Sequence, residues 1–207
     1  MDQDEFDRIT AKWQYQQYKD SCLPTSIKNI LDNLNERVLD PKLRFSVKEL
    51  HNMCKYERGL ACPPNVACPS LNAILKKRGS LYRAQERASK KNTFETLKEI
   101  IGNSNASFPI IGVHSDYHKE QGILIEGRDY DHVLVVLSIE NDNIWFHDPY
   151  RPYAEKSSLV ERFNNSVPLV RMLKYWDEAW DTRWLMWIDK PRGPLDKFGV
   201  LSSDKKR

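Results

Sequence analysis

A cysteine near the start of the chain could supply a nucleophile. Apolar residues with helical spacing follow Cys22, at Ile27, Ile30, Leu31 and Leu34, and this pattern predicts a helix with one buried stripe. Pro24 is tolerated in a first turn, so the helix is expected to begin at about Cys22 or Leu23. Free N–H groups and the macrodipole at a helix N-terminus favour an anion, which would populate a nucleophilic thiolate. The alternative is that Cys22 is a small buried apolar residue, as most free cysteines are.

Partners for a thiol stand much later in the chain, at His132 and Asp148. His132 opens the clearest strand pattern, 132–139, and Asp148 closes the strand that returns after a turn at 140–143. A hairpin of this kind would bring the two residues within a few cross-strand residue pairs of each other. A thiol, an imidazole and a carboxylate can act as a nucleophile, a base and a group that orients the base. Alternatively, Asp148 only starts a turn and His132 is an edge residue with ordinary partners.

Two further residues bear on this chemistry. Gln16 precedes Cys22 by six positions, and its amide together with the backbone N–H of Cys22 could form an oxyanion hole. Surface glutamines are common, so an exposed Gln16 is the alternative. His147 alternates away from Asp148 on its strand and is interpreted as structural or exposed; it is the substitute base if the strand register differs.

The elements that must position these residues change type along the chain. A capping box at Ser46 and Glu49 starts a second helix, and helical patterns follow at 70–77, 93–101 and 173–180. Strand patterns occupy 108–113, 132–139, 144–148 and 184–188. Helices followed by an antiparallel sheet predict an α+β domain. We expect a polar lead-in at 1–12, one domain at 13–190 and a flexible tail at 191–207.

Composition excludes several classes of protein. The chain has 207 residues with a formal net charge of +3, so no basic stripe favours nucleic acid as a partner. No apolar run is longer than 133–137, which is far shorter than a membrane span of about 20 residues. The acidic N-terminus is unlike a secretory signal peptide. A cytoplasmic protein is therefore expected, with delivery as a secreted effector as the alternative; the sequence does not indicate an oligomeric state.

The remaining cysteines lie close together in the sequence. His51, Cys54, Cys62 and Cys68 are enough ligands for a closed tetrahedral zinc site, although their spacing is not a standard one. A disulfide is disfavoured without an export signal. Reduced cysteines in and beside a helix are the favoured interpretation, and the proposed chemistry needs no cofactor.

Taken together, these segments resemble a known family. The run QQYKDSCLPTS from Gln16 onward, the strand HVLVVL from His132, and Asp148 with Pro149 are similar to motifs of papain-like cysteine peptidases. Within that superfamily they most resemble the peptidases that process double-glycine bacteriocin leaders and their stand-alone relatives. That branch usually has Gly-Pro after its cysteine, whereas this chain has Leu23. The resemblance covers roughly residues 13–190.

The resemblance implies a fold and an activity. It implies a papain-like domain of two lobes, a helical lobe that carries Cys22 and a sheet lobe that carries His132 and Asp148, with the cleft between them. It also implies a thiol-dependent amide hydrolase, most simply a peptidase acting on a peptide or protein. Leu23 would narrow the approach to the nucleophile and change specificity. Acyl transfer or deamidation by the same residues, and a non-catalytic interaction module with a zinc-stapled loop, are the alternatives.

Overall fold

In a computed structural model of the protein, helices pack on both faces of an antiparallel sheet. The model describes residues 1–16, 21–55, 62–117, 131–150, 165–179 and 181–191. The α-helices in this part of the chain are α1 Gln3–Thr10, α2 Cys22–Val38, α3 Val47–Met53, α4 Pro64–Lys77, α5 Phe94–Gly102 and α6 Leu169–Glu178, with a 3-10 turn at Pro41–Leu43. The strands are β1 Arg83–Ala88, β2 Ile110–Val113, β3 His132–Glu140, β4 Asn143–His147, β5 Ser166–Pro168 and β6 Trp184–Asp189. This is the α+β class that the sequence predicts.

The sheet has the strand order β1-β6-β2-β3-β4-β5, and all of its pairs are antiparallel. Strand β3 lies in the middle, paired with β2 on one side and β4 on the other. Val135 of β3 faces His147 of β4, so Asp148 follows at the end of the hairpin where β3 begins. The register therefore brings Asp148 to the same end of the sheet as His132.

The core is split into two clusters by the sheet. Alternate residues of β3 point to opposite faces, so Val133, Val135 and Leu137 join the cluster beneath α2, α3 and α4. Leu134 and Val136 join the cluster beneath α5 and α6. Burial on both faces explains why β3 reads as a continuous apolar run rather than an alternating one.

Helix α2 carries the candidate nucleophile at its first residue. It begins at Cys22, as the spacing predicts, and its apolar stripe is fully buried. The helix ends at Val38, and its C-cap Leu39 adopts a left-handed conformation and donates its backbone N–H to the carbonyl of Asn35. The stripe fixes the rotation of α2 against the sheet. The position of Cys22 is therefore set by the packing of the whole helix.

Several elements differ from the expectations. Strand β1 was not expected because its sequence, RAQERA, lacks the β-branched and aromatic residues that are typical of strands; its ladder with β6 holds it at the sheet edge. Helix α4 begins at Pro64 and α6 at Leu169, each earlier than expected, and the short β5 was also missed. The expected tail from position 192 onward, and Trp180, lie outside the described residues.

The first residues include a helix that packs on the domain. Phe6 of α1 is buried, and its ring lies 6.3 Å from the ring of Trp145 in β4. The N-cap Asp2 accepts a hydrogen bond from the backbone N–H of Glu5. Among the described helices, none combines the length and the apolar character needed to cross a bilayer.

Candidate active site

A buried imidazole and a buried carboxylate meet at the start of the hairpin. His132 Nε2 lies 2.7 Å from Asp148 Oδ1, and both side chains are about 95 % or more buried. The same oxygen accepts the backbone N–H of Tyr150 at 2.8 Å. Burial alone would lower the pKa of His132, but the charge and hydrogen bond of Asp148, together with Cys22, raise it to about 10. His132 is therefore protonated at neutral pH.

Cys22 lies against this pair. Cys22 and His132 line one cavity, and the proximity of Cys22 is among the causes that raise the pKa of His132. Because Nε2 is engaged by Asp148, Nδ1 is the ring nitrogen that remains for the sulfur. The sulfur also lies at the N-terminal end of a 17-residue helix, where the backbone dipoles favour a negative charge. The structure thus brings together three residues that are 110 and 16 positions apart in sequence.

The cavity over Cys22 has a volume of about 560 Å³. Leu23, Val133 and Trp184 give it an apolar wall, and Asp131, Glu178 and Asp181 place carboxylates on its lining. Gly112 also lines it, and a Cβ there would lie 3.6 Å from the ring of Trp184. Leu23 thus stands beside Cys22 in the wall of the cleft, the position at which the resemblance leads us to expect an effect on specificity.

Gln16 is buried beside the Asp148 end of the hairpin. Its side chain is 3 % exposed, and its backbone N–H donates to the carbonyl of Pro149 at 2.9 Å. The nitrogen and oxygen of its carboxamide have no hydrogen-bond partner among the described residues. Gln16 is not among the residues that line the cavity, and positions 17–20, which join it to α2, lie outside the described residues.

His147 is separated from the His132 and Asp148 pair. It is buried, its ring lies 5.0 Å from Trp13 at a steep angle, and Tyr15 stacks on it at 5.2 Å. Through these aromatic contacts, the His147 ring packs between β4 and the N-terminal residues Trp13 and Tyr15. His132, rather than His147, lines the cavity with Cys22.

Tyr117 is a site residue that the sequence reasoning missed. Its side chain is fully buried, packed edge-on against Phe146 and Tyr175. Burial, with the charge and hydrogen bonding of Asp148, raises the pKa of Tyr117 well above its usual range. The tyrosine therefore stays protonated next to the carboxylate. Position 117 belongs to a polar stretch without periodicity, so no pattern signalled it.

The four candidate zinc ligands do not converge. Cys62 Sγ donates to the carbonyl of Cys54 at 3.5 Å, whereas Cys68 Sγ donates to the carbonyl of Ala84 at 3.5 Å. All four cysteines of the chain are free thiols. Within the described ranges, a different set comes together with its ligand atoms inside 4.8 Å, namely His114, Asp116 and Glu178. The zinc hypothesis for His51 and the three cysteines gains no support from this arrangement.

Comparison with known proteins gives matches in structure only. No known family matches the sequence, and no curated protein matches it. A C39-like peptidase from Bacillus anthracis has a similar structure, with a TM-score of 0.54 and 14 % identity over 89 % of this chain and 97 % of that one. The peptidase domain of Streptococcus ComA, a bifunctional ABC transporter involved in quorum sensing, aligns with a TM-score of 0.49 and 14 % identity over 85 % of this chain and 96 % of that domain. The chain therefore has the α+β fold of C39-like peptidase domains, as its resemblance to papain-like leader peptidases predicts.

Proposed function

We propose that the protein is a cysteine peptidase in which Cys22 is the nucleophile, His132 the acid and base, and Asp148 the residue that orients His132. The observation that carries the proposal is the buried contact of 2.7 Å between His132 and Asp148, in which His132 also lines the cavity that Cys22 lines. If the His132 and Asp148 pair were only structural, it would not need a thiol and an open cleft beside His132. The C39-like fold supports the same assignment.

The chemistry follows from the protonation state of His132. With a pKa of about 10, His132 is an imidazolium at neutral pH and attracts a thiolate at Cys22. The thiolate forms a C–S bond with the scissile carbonyl, whose oxygen takes up the negative charge. His132 then gives its proton to the leaving amine as the C–N bond breaks, which leaves a thioester. Water, deprotonated by His132, hydrolyses the thioester and returns Cys22.

Gln16 is the side chain we assign to the oxyanion. A carboxamide donor and the backbone N–H of Cys22 would hold the charged oxygen in a site from which water is excluded. The buried carboxamide of Gln16, with no partner among the described residues, fits a donor that is used only when substrate is bound. The cleft, with its apolar wall and its carboxylates, suits a peptide or protein substrate.

Selective alkylation tests the nucleophile without a known substrate. We expect iodoacetamide at pH 7 to modify Cys22 at least about tenfold faster than the other thiols, measured by mass spectrometry of tryptic peptides. A hydrogen bond with Cys54 and burial raise the pKa of Cys62, and burial and Glu86 raise that of Cys68 to about 11. Cys54 is fully buried. Equal rates at all four thiols would contradict the proposal and favour a non-catalytic relative.

Hydrolysis tests the reaction itself. We expect Cys22→Ala to abolish cleavage of a quenched fluorescent peptide library while the melting temperature changes little. Cys68→Ser, which keeps a donor for the Ala84 carbonyl, is the matched control and should retain cleavage. Persistent cleavage by Cys22→Ala would overturn the proposal.

A primary amine added to the reaction separates hydrolysis from the two alternative reactions. An acyltransferase would yield the amide adduct of that amine, and a deamidase would release ammonia from glutamine.

A further inference from the structure

The segment before the nucleophile crosses between the two sides of the site. We call residues 13–16 the strap. Its side chains and backbone contact the sheet and α2 in turn: Trp13 packs on Phe108 and His147, Gln14 is bound by α2, and Tyr15 stacks on His147. The strap ends at Gln16, which is bound to the Asp148 end of the hairpin.

The side chain of Asn29 joins the strap to α2 by two hydrogen bonds. Its Oδ1 accepts the backbone N–H of Gln14 at 2.8 Å, and its Nδ2 donates to the carbonyl of Gln14 at 2.9 Å. Asn29 is 1 % exposed, so both backbone groups would lose a buried partner without it. Such a two-bond clasp fixes the backbone of Gln14 in position and in orientation.

The other end of the strap is held by the sheet. The backbone N–H of Gln16 donates to the carbonyl of Pro149 at 2.9 Å, directly after Asp148. Asn29 lies seven positions, about two helical turns, after Cys22 on α2. The Asn29 bonds to Gln14 and the bond of Gln16 to Pro149 therefore tie the helix that carries Cys22 to the residues that follow Asp148.

We propose that Asn29 is a positioning residue that holds the strap so that the carboxamide of Gln16 reaches the oxyanion formed over Cys22. The inference rests on the proposed function, because it gives Gln16 the role of an oxyanion donor. A rigidly held donor needs no reorganisation during the reaction, so its placement matters only in steps that develop charge on oxygen. Steps without an oxyanion should not depend on Asn29.

Two reagents test the proposal, because one reacts with a thiolate through an oxyanion and the other does not. p-Nitrophenyl acetate acylates a thiolate through a tetrahedral oxyanion, whereas iodoacetamide alkylates it by direct displacement at carbon without one. For Asn29→Ala we expect the acylation rate of Cys22, measured as nitrophenolate release, to fall about tenfold or more. The alkylation rate of Cys22 should stay within about twofold. An equal fall in both rates, or no fall in either, would overturn the role of Asn29.

The chain supplies a matched control in Asn72. Its carboxamide makes the same two-bond clasp between α4 and β1, with distances of 2.7 and 2.9 Å to the backbone of Ala84. Asn72→Ala should lower the melting temperature as Asn29→Ala does, but it should leave the acylation and alkylation rates of Cys22 unchanged. A fall in the acylation rate of Asn72→Ala would mean that general destabilisation causes the effect of Asn29→Ala.

If Asn29→Ala does not fold, Asn29→Asp is the second variant. It keeps the acceptor for the N–H of Gln14 and loses the donor to its carbonyl, and the same selective loss of acylation is expected. Should wild-type Cys22 react no faster than the other thiols with either reagent, the proposed function itself would fail.

Discussion

At the scale of single residues, the site combines groups that are costly to bury. A carboxamide without partners loses its hydrogen bonds to water on folding and gains nothing in exchange from the described residues, as Gln16 does. A buried carboxylate such as Asp148 is tolerated because groups such as His132 and the backbone N–H of Tyr150 donate to it. A buried polar group without a partner is rare in folded proteins and calls for a specific explanation. Among the described residues, Asp148 therefore has donors for its buried charge, whereas the carboxamide of Gln16 has none.

A substitution at Gln16 should separate stability from activity. We expect Gln16→Met, which has a similar length and no unpaired polar atoms, to raise the free energy of unfolding by about 1 kcal/mol. The same change should lower kcat about 100-fold or more on a peptide substrate, because one oxyanion donor is lost. Urea unfolding and steady-state kinetics measure the two effects. A variant that is less stable and fully active would show that the carboxamide is structural.

At the scale of elements, the sequence predicts best where one strong pattern decides the structure. The stripe of α2 and the doubly buried run of β3 were predicted within one or two residues, and these two elements carry Cys22 and His132. Strand β1 could not be predicted, because its pairing with β6, about 100 residues later, overrides a polar local sequence. Asn29 was missed for the same reason: an asparagine in a helix is expected to face water, and its partner at Gln14 lies outside the helix.

The capping box of α3 allows a test of whether a local sequence pattern determines where a helix begins. Ser46 accepts the backbone N–H of Glu49 through its side chain, and Glu49 accepts the backbone N–H of Ser46 in return. We expect Ser46→Ala to lower the free energy of unfolding by about 1 kcal/mol, measured as a shift of the urea midpoint at constant slope. Alkylation of Cys22 should not change, since α3 does not line the cavity. An unchanged midpoint would mean that tertiary packing, rather than the cap, sets the start of α3.

At the scale of the whole molecule, the His132 and Asp148 pair couples folding to pH. The pKa of His132 is near 6.5 in an unfolded chain and is raised to about 10 in the folded protein, with burial opposing and Asp148 and Cys22 favouring the charged form. A group with a raised pKa stabilises the fold fully below its unfolded pKa. That stability is lost as the pH rises through the folded value.

Removing the thiol isolates the contribution of the pair. In Cys22→Ala, Asp148 still raises the pKa of His132, so the folded protein should hold one more proton than the unfolded chain over a window that starts near pH 6.5 and ends at or below pH 10. The free energy of unfolding should then decrease with pH by up to about 1.4 kcal/mol per unit in this window. The double variant Cys22→Ala/Asp148→Asn loses the charge that raises the pKa of His132 and should show a flatter dependence. Urea titrations at pH 7 and pH 9 measure the difference, and parallel curves for the two variants would show that Asp148 does not hold a charged His132 in the folded protein.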